Sequence, residues 1–132
     1  MRNQFHLPEA DAEYLERFGL SWETVIENGC MRVIVYNFPL PDGYNVKAAD
    51  LYLRIEGGYP DTQIDMAYFY PALSRVDGVS LKAITADSFD GKQWQRWSRH
   101  RTSTNPWRSG LDNIETHLIF VGEWLKHELT KV

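Results

Sequence analysis

The chain has 132 residues and one cysteine, Cys30. A lone thiol excludes an internal disulfide and a zinc cluster built on thiolates. It is what a reducing compartment allows. No apolar run approaches the roughly 20 residues that a bilayer-spanning helix needs. The first residues, MRNQFHLPEADAEYLERFG, contain no apolar signal core. The expectation is a cytoplasmic, soluble chain. Repeats, linkers and low-complexity tracts are also missing. Residues 1–132 are the length of a single domain, enough to bury a core without staples.

Acid is missing from one place. Between Lys92 and Arg108 there is no Asp or Glu, while Lys92, Arg96, Arg99, Arg101 and Arg108 supply five cations. The net charge is −4, so nine basic residues face eighteen acidic ones elsewhere. A chain so acidic outside one patch is not a general polyanion binder. Arginine mixed with tryptophan is the pattern of single-strand nucleic-acid binding. The acidic remainder and the lack of any nucleic-acid motif argue against that use.

What is present falls into a simple order. Leu7–Phe18 reads as a helix, with Pro8 in its first turn, Glu9 and Asp11 near the positive end, and Gly19 as its stop. Trp22–Ile26 reads as an edge strand closed by the turn pair Asn28-Gly29. Cys30–Leu40 is β-branched and aromatic, and reads as a strand. Ala49–Ile55 alternates, with Leu51, Leu53 and Ile55 on one face and Tyr52 and Arg54 on the other. Ile64–Tyr70 is a further strand, where Tyr68 and Tyr70, like Tyr52, are ordinary sheet residues. Residues 72–110 read as mostly irregular. Asp112–Leu129 carries Ile114, Leu118, Val121, Leu125 and Leu129 as a helical stripe, with Asp112 and Glu115 spaced as a capping box. The fold class is α+β: a helix, an antiparallel meander of about four strands, a long irregular crossover and a C-terminal helix.

The motifs FPLPDGYN, GGYPD, FDGKQWQRWSRHR, NPWRSG and the helix ETHL…WL, in this order over about residues 7–129, resemble the ubiquitin-conjugating-enzyme (UBC) superfamily, and within it the prokaryotic branch called family E. The resemblance implies a UBC-like fold, with the crossover as its active-site-type segment. It implies two kinds of partner, a ubiquitin-like protein and an adenylating, activating-type enzyme. Conjugating enzymes carry their cargo on a cysteine thiolate, which both attacks and leaves readily. No residue between Leu40 and Val132 is cysteine, and the family's histidine-proline-asparagine triplet is absent. Cys30 lies at the start of an early strand and reads as a small buried hydrophobe.

Two readings of the segment stay open. In the first, a hydroxyl carries the cargo as an oxyester. Ser98 is the first choice, two residues from His100, a base suited to neutral pH. Arg99 and Arg101 can then hold the oxyanion. Ser88, Ser103 and Ser109 are further from a histidine. The alternative is a loop serine and a structural histidine, in a binding module that has kept recognition and lost chemistry. Trp94 and Trp97, with Arg96, Arg99 and Arg101, are then the candidate binding surface, because Trp and Arg dominate interface hot spots. Trp94 and Trp97 share a face if the stretch is helical; otherwise they pack the crossover onto the sheet. Trp107 reads as core. Asp87 and Asp90 precede the basic run, and Asp90-Gly91 has the look of a turn. His117 and His127 point in different directions on one helix, so no metal site is expected. No cofactor is expected either.

Overall fold

The computed structural model describes residues 1–132 as two helices packed on one face of a six-stranded antiparallel sheet. Helix α1 spans Glu9–Phe18 and ends at Gly19, whose φ of 85° is the left-handed conformation that glycine adopts without strain. Pro8 sits just outside it as the N-cap. Strands β1 (Trp22–Glu27) and β2 (Cys30–Pro39) form a hairpin over Asn28-Gly29. Both turn residues have positive φ, the conformation whose twist matches the strands. Strand β3 (Ala48–Ile55) pairs with β2, and β4 (Ala67–Tyr70) pairs with β3.

The stretch that reads as irregular holds a second hairpin. Strands β5 (Ile84–Phe89) and β6 (Lys92–Trp97) turn over Asp90-Gly91, again with positive φ at both positions. The order across the sheet is β1-β2-β3-β4-β6-β5. The strand count is therefore six rather than about four, and of the stretch read as irregular only the connection between β4 and β5 and the crossover after Trp97 remain so. Alternation in KQWQRW is masked by polar residues on both faces, so the pattern did not announce a strand.

Helix α2 covers Ile114–Glu128. Its cap is Asn113, which accepts from the Thr116 amide while the Thr116 hydroxyl accepts from the Asn113 amide. This corrects the Asp112–Glu115 capping box by one residue. Asp112 instead takes the Arg108 backbone and guanidinium. Asp11 of α1, buried, accepts from the Ile114 amide and from Tyr59 Oη. One carboxylate so ties α1, the β3–β4 loop and the start of α2.

The sheet has two unequal cores. One face carries the helices over an 18-residue cluster that includes Leu15, Val33, Leu51, Leu53, Ile55, Phe69, Trp97, Leu118 and Leu125. The other face has no helix. Its cluster takes one residue from each strand: Val25, Ile34, Tyr52, Tyr68, Trp94 and Phe89. The sheet curls to close this face. Arg2 bridges the two ends of the sheet, binding Glu23 of β1 and, at 2.8 Å, Asp90 at the tip of the β5–β6 hairpin. The Asp90 amide donates to Glu27 Oε1 at 3.1 Å. No helix is long and apolar enough to cross a membrane.

Candidate functional site

The crossover from Ser98 to Asn113 leaves β6 and lies against the β3–β4 loop and the flank of α2. Each side chain singled out in the sequence has a definite place there. Trp94 and Trp97 are almost fully buried. They sit three apart on a strand, not a helix, so they point to opposite faces of the sheet. Trp94 packs at 5.0 Å against Tyr52 in the second core, and Trp97 at 5.6 Å against Phe69 in the first. Neither offers a binding surface, which corrects that reading of the pair.

The arginines are engaged as well. Arg96 gives Nε to Thr85 Oγ1 at 2.7 Å. Arg99 lies over the Trp97 ring and pairs at 2.9 Å with buried Glu128. The Arg101 guanidinium sits 5.1 Å from the Trp107 ring centre and 4.6 Å from that of Phe120. It donates to His117 Nδ1 at 3.0 Å. Arg96 ties β6 to β5, Arg99 and Arg101 fasten the crossover, and the three do not form an open cluster.

His117 is fully buried. A guanidinium can only donate, so Nδ1 accepts and Nε2 carries the proton. That proton goes to the Met66 carbonyl at 2.9 Å. Burial drives its pKa down to about 4, so the ring stays neutral. With both nitrogens occupied, His117 is a strut between α2, β4 and the crossover.

His100 is different. It is exposed, and its Nδ1 lies 2.8 Å from Asp65 Oδ2. Its Nε2 makes no hydrogen bond within the protein. A carboxylate that orients one imidazole nitrogen leaves the other to move a proton. Asp65 is 35 residues away in sequence, so nothing near WSRHR signalled it. Ser98 is half-buried and anchored through its amide to the Ala83 carbonyl at 3.0 Å. Its hydroxyl makes no hydrogen bond to His100. Of the other serines, Ser109 donates to Asp61 at 2.5 Å and Ser88 accepts from Gln93 at 2.8 Å. Ser103 is exposed in the Thr102–Asn105 turn. Trp107 is half-buried and donates to the Pro60 carbonyl at 2.9 Å, which fastens the crossover to the GGYPD loop. Cys30 lies half-buried at the β1–β2 hairpin end, outside this segment.

Asp112 is buried, and the hydrogen bond from Arg108 holds its carboxyl down at about 2. It fixes the last turn of the crossover before α2. No group of three or more His, Cys, Asp or Glu side chains is placed to hold a metal ion.

The model of the family described as Prokaryotic E2 family E matches residues 7–128, and the chain belongs to that family. No curated protein matches the chain, and no solved structure does.

Proposed function

We propose that this protein is the conjugating-enzyme-like component of a bacterial ubiquitin-like modification pathway. It accepts a ubiquitin-like protein from an adenylating, activating-type enzyme, and the crossover Ser98–Asn113 is where the cargo's C-terminus is received. The observation that carries this is the Asp65–His100 pair, its Nε2 free of any hydrogen bond in the protein, on the active-site-type segment of a family member that has no cysteine there. His100 is the proton acceptor in this reading, and Asp65 orients it.

Ser98 is the proposed carrier. His100 takes the hydroxyl proton as Ser98 Oγ attacks the activated carbonyl of the cargo. The carbon–oxygen ester bond forms and the adenylate leaves. An amine then attacks the ester, the serine oxygen leaves, and it regains a proton from His100. Ser98 Oγ must rotate toward the imidazole for this, since no hydrogen bond joins them in the free protein. Such contacts often tighten only when substrate is bound.

A second reading rests on that same unmade bond. With no thiol in the crossover and no Ser98–His100 pair, the domain can serve as a binding module that presents the cargo non-covalently. Intact-mass measurement separates the two. The protein is incubated with the ubiquitin-like protein, the activating-type enzyme and ATP. A gain of one cargo minus water, stable to thiols and cleaved by strong base, supports the oxyester, and its loss in Ser98→Ala assigns the residue. A Ser98→Ala variant that still forms the adduct overturns the assignment. No adduct from active components, with co-purification of the cargo retained, selects the binding module.

A further inference from the structure

One flank of α2 carries a stripe that neither the sheet nor the crossover covers. Glu115, Ile119, Gly122 and Lys126 follow spacings of four, three and four, so they fall within about 60° of arc. Ile119 is 58% exposed, the only large apolar side chain on either helix left so open. Beside it a cleft of about 250 Å³ opens between the two helices, lined in part by Tyr14, Phe18, Phe38, Ile119 and Gly122. A Cβ placed on Gly122 would meet nothing within 4 Å. The glycine is therefore a hollow in the surface and not a packing requirement of the fold. Burial, then the nearby Glu115 carboxylate, raises the Tyr14 phenol, which puts Glu115 on the cleft side as well. At the two ends of the stripe, Glu115 and Lys126 take part in no salt bridge. Arg101 of the crossover packs on Phe120, on a different flank of the helix.

The stripe is complementary to itself when reversed. Laid antiparallel on a second α2 about a twofold axis, Glu115 of one protomer meets Lys126 of its partner. In the same register Ile119 meets Gly122, and symmetry makes each contact twice. Both pairs share one centre, midway between Phe120 and Val121, so a single register satisfies charge and shape together. Alternating steps of three and four are the spacing by which antiparallel helices pack, and a glycine lets the facing side chain approach closely. We propose that α2 docks antiparallel on α2 of a second copy of this chain, each Ile119 filling the hollow at the other's Gly122. A foreign helix would need its own matched order of charge, knob and hollow; the second copy supplies it by symmetry. The paired flank is narrow, so the dimer is weak and forms only at high concentration. This pairing does not rest on the transfer reading, since the crossover occupies another flank.

Sedimentation velocity of the full chain, from about 10 µM to about 1 mM, tests the pairing. The parent should shift from monomer toward dimer across that range. Glu115→Lys and Lys126→Glu should each stay monomeric, because like charges then meet at both ends of the pair. An equimolar mixture of these two variants should dimerise, because each places opposite charge against the other at both contacts. Both positions lie outside the core, and circular dichroism should show unchanged helix content. Gly122→Leu fills the hollow and should weaken self-association at least about tenfold. It should leave the monomer at least as stable, since leucine favours a helix where glycine does not. A parent that is still monomeric at about 1 mM overturns the proposal and leaves the stripe to a different partner. A dimer that persists in both charge variants overturns it too, by placing the contact elsewhere. A mixture that stays monomeric overturns the antiparallel register.

Discussion

The two faces of the sheet bury aromatic side chains by different means. On the helix side, Leu51, Leu53 and Ile55 project toward α1 and α2, and the apolar stripe of α2 completes the cover. On the other side no element lies across the strands. There the sheet curls until Phe89 and Trp94 of the last hairpin meet Tyr52 and Tyr68 of the middle strands. Arginine finishes the cover: the Arg32 guanidinium lies 4.4 Å from the Phe89 ring and 5.4 Å from that of Tyr52. The first face depends on packing volume. The second depends on a closure that charges hold at the rim, with polar atoms of Arg32, Arg54 and Tyr68 left unpaired in it.

The largest effect that separates the faces should come from their tryptophans. Trp97→Ala removes a ring from the 18-residue cluster and should cost about 4–5 kcal/mol, while Trp94→Ala should cost about 3 kcal/mol. Denaturant unfolding measures both. Hydrogen exchange should show Trp94→Ala loosening β5 and β6 ahead of β2 and β3. Equal, global loosening by the two variants would mean that the faces are not separate.

Next in size is an acid sensitivity of the helix side. His117 has a folded pKa of about 4, below its ordinary 6.5, so the unfolded chain binds a proton more readily between these values. Its neutral burial therefore stabilises fully above pH 6.5 and loses that advantage as pH falls toward 4. Stability should drop by roughly 2 kcal/mol from this group between pH 7 and pH 5. A His117→Gln variant should show a flatter profile over that window; an unchanged slope would assign the loss to other groups.

The rim of the second face should respond at lower pH and more weakly. Arg2 holds the Glu23 carboxyl at about 2, below its ordinary 4.5. This contribution is present above pH 4.5 and disappears as pH falls toward 2. Arg2→Ala should cost about 1–2 kcal/mol at pH 7, and the gap between variant and parent should close through that range. Persistence of the full gap at pH 2.5 would show that Arg2 acts through packing. Smallest of all, Arg32→Met exchanges a roofing cation with an unpaired Nε for an apolar chain of similar length. It should change stability by less than about 1 kcal/mol, since the lost cation–π contact is offset by removal of a buried unpaired atom. A larger loss would make the guanidinium a structural centre of that face.

Much of the helix side was legible in the chain. Gly19 stops α1 where expected, Asn28-Gly29 turns the first hairpin, and the alternation of Leu51, Tyr52, Leu53 and Arg54 assigns the two faces of β3 correctly. The second hairpin was not legible, although its turn pair Asp90-Gly91 was. In KQWQRW the two tryptophans face opposite ways, which breaks the period-2 apolar signal that marks a half-buried strand. The candidate site was half legible. His100 stood out as a base near neutral pH in a basic run, but Asp65, 35 residues earlier, carried no local mark. The binding role read from Trp94 and Trp97 failed because side-chain type was taken without a backbone to say where each ring points.

The sequence by itself determined the α+β class, the family, the lack of a thiol in the crossover and the local turns, because these depend on residue type, order and short-range backbone preference. Only the tertiary structure decided which polar groups meet. The Asp65–His100 pair, the neutral state of His117 and the Arg2 closure all join residues from separate strands and loops. Their energies depend on burial and mutual distance, which a linear order of residues does not contain.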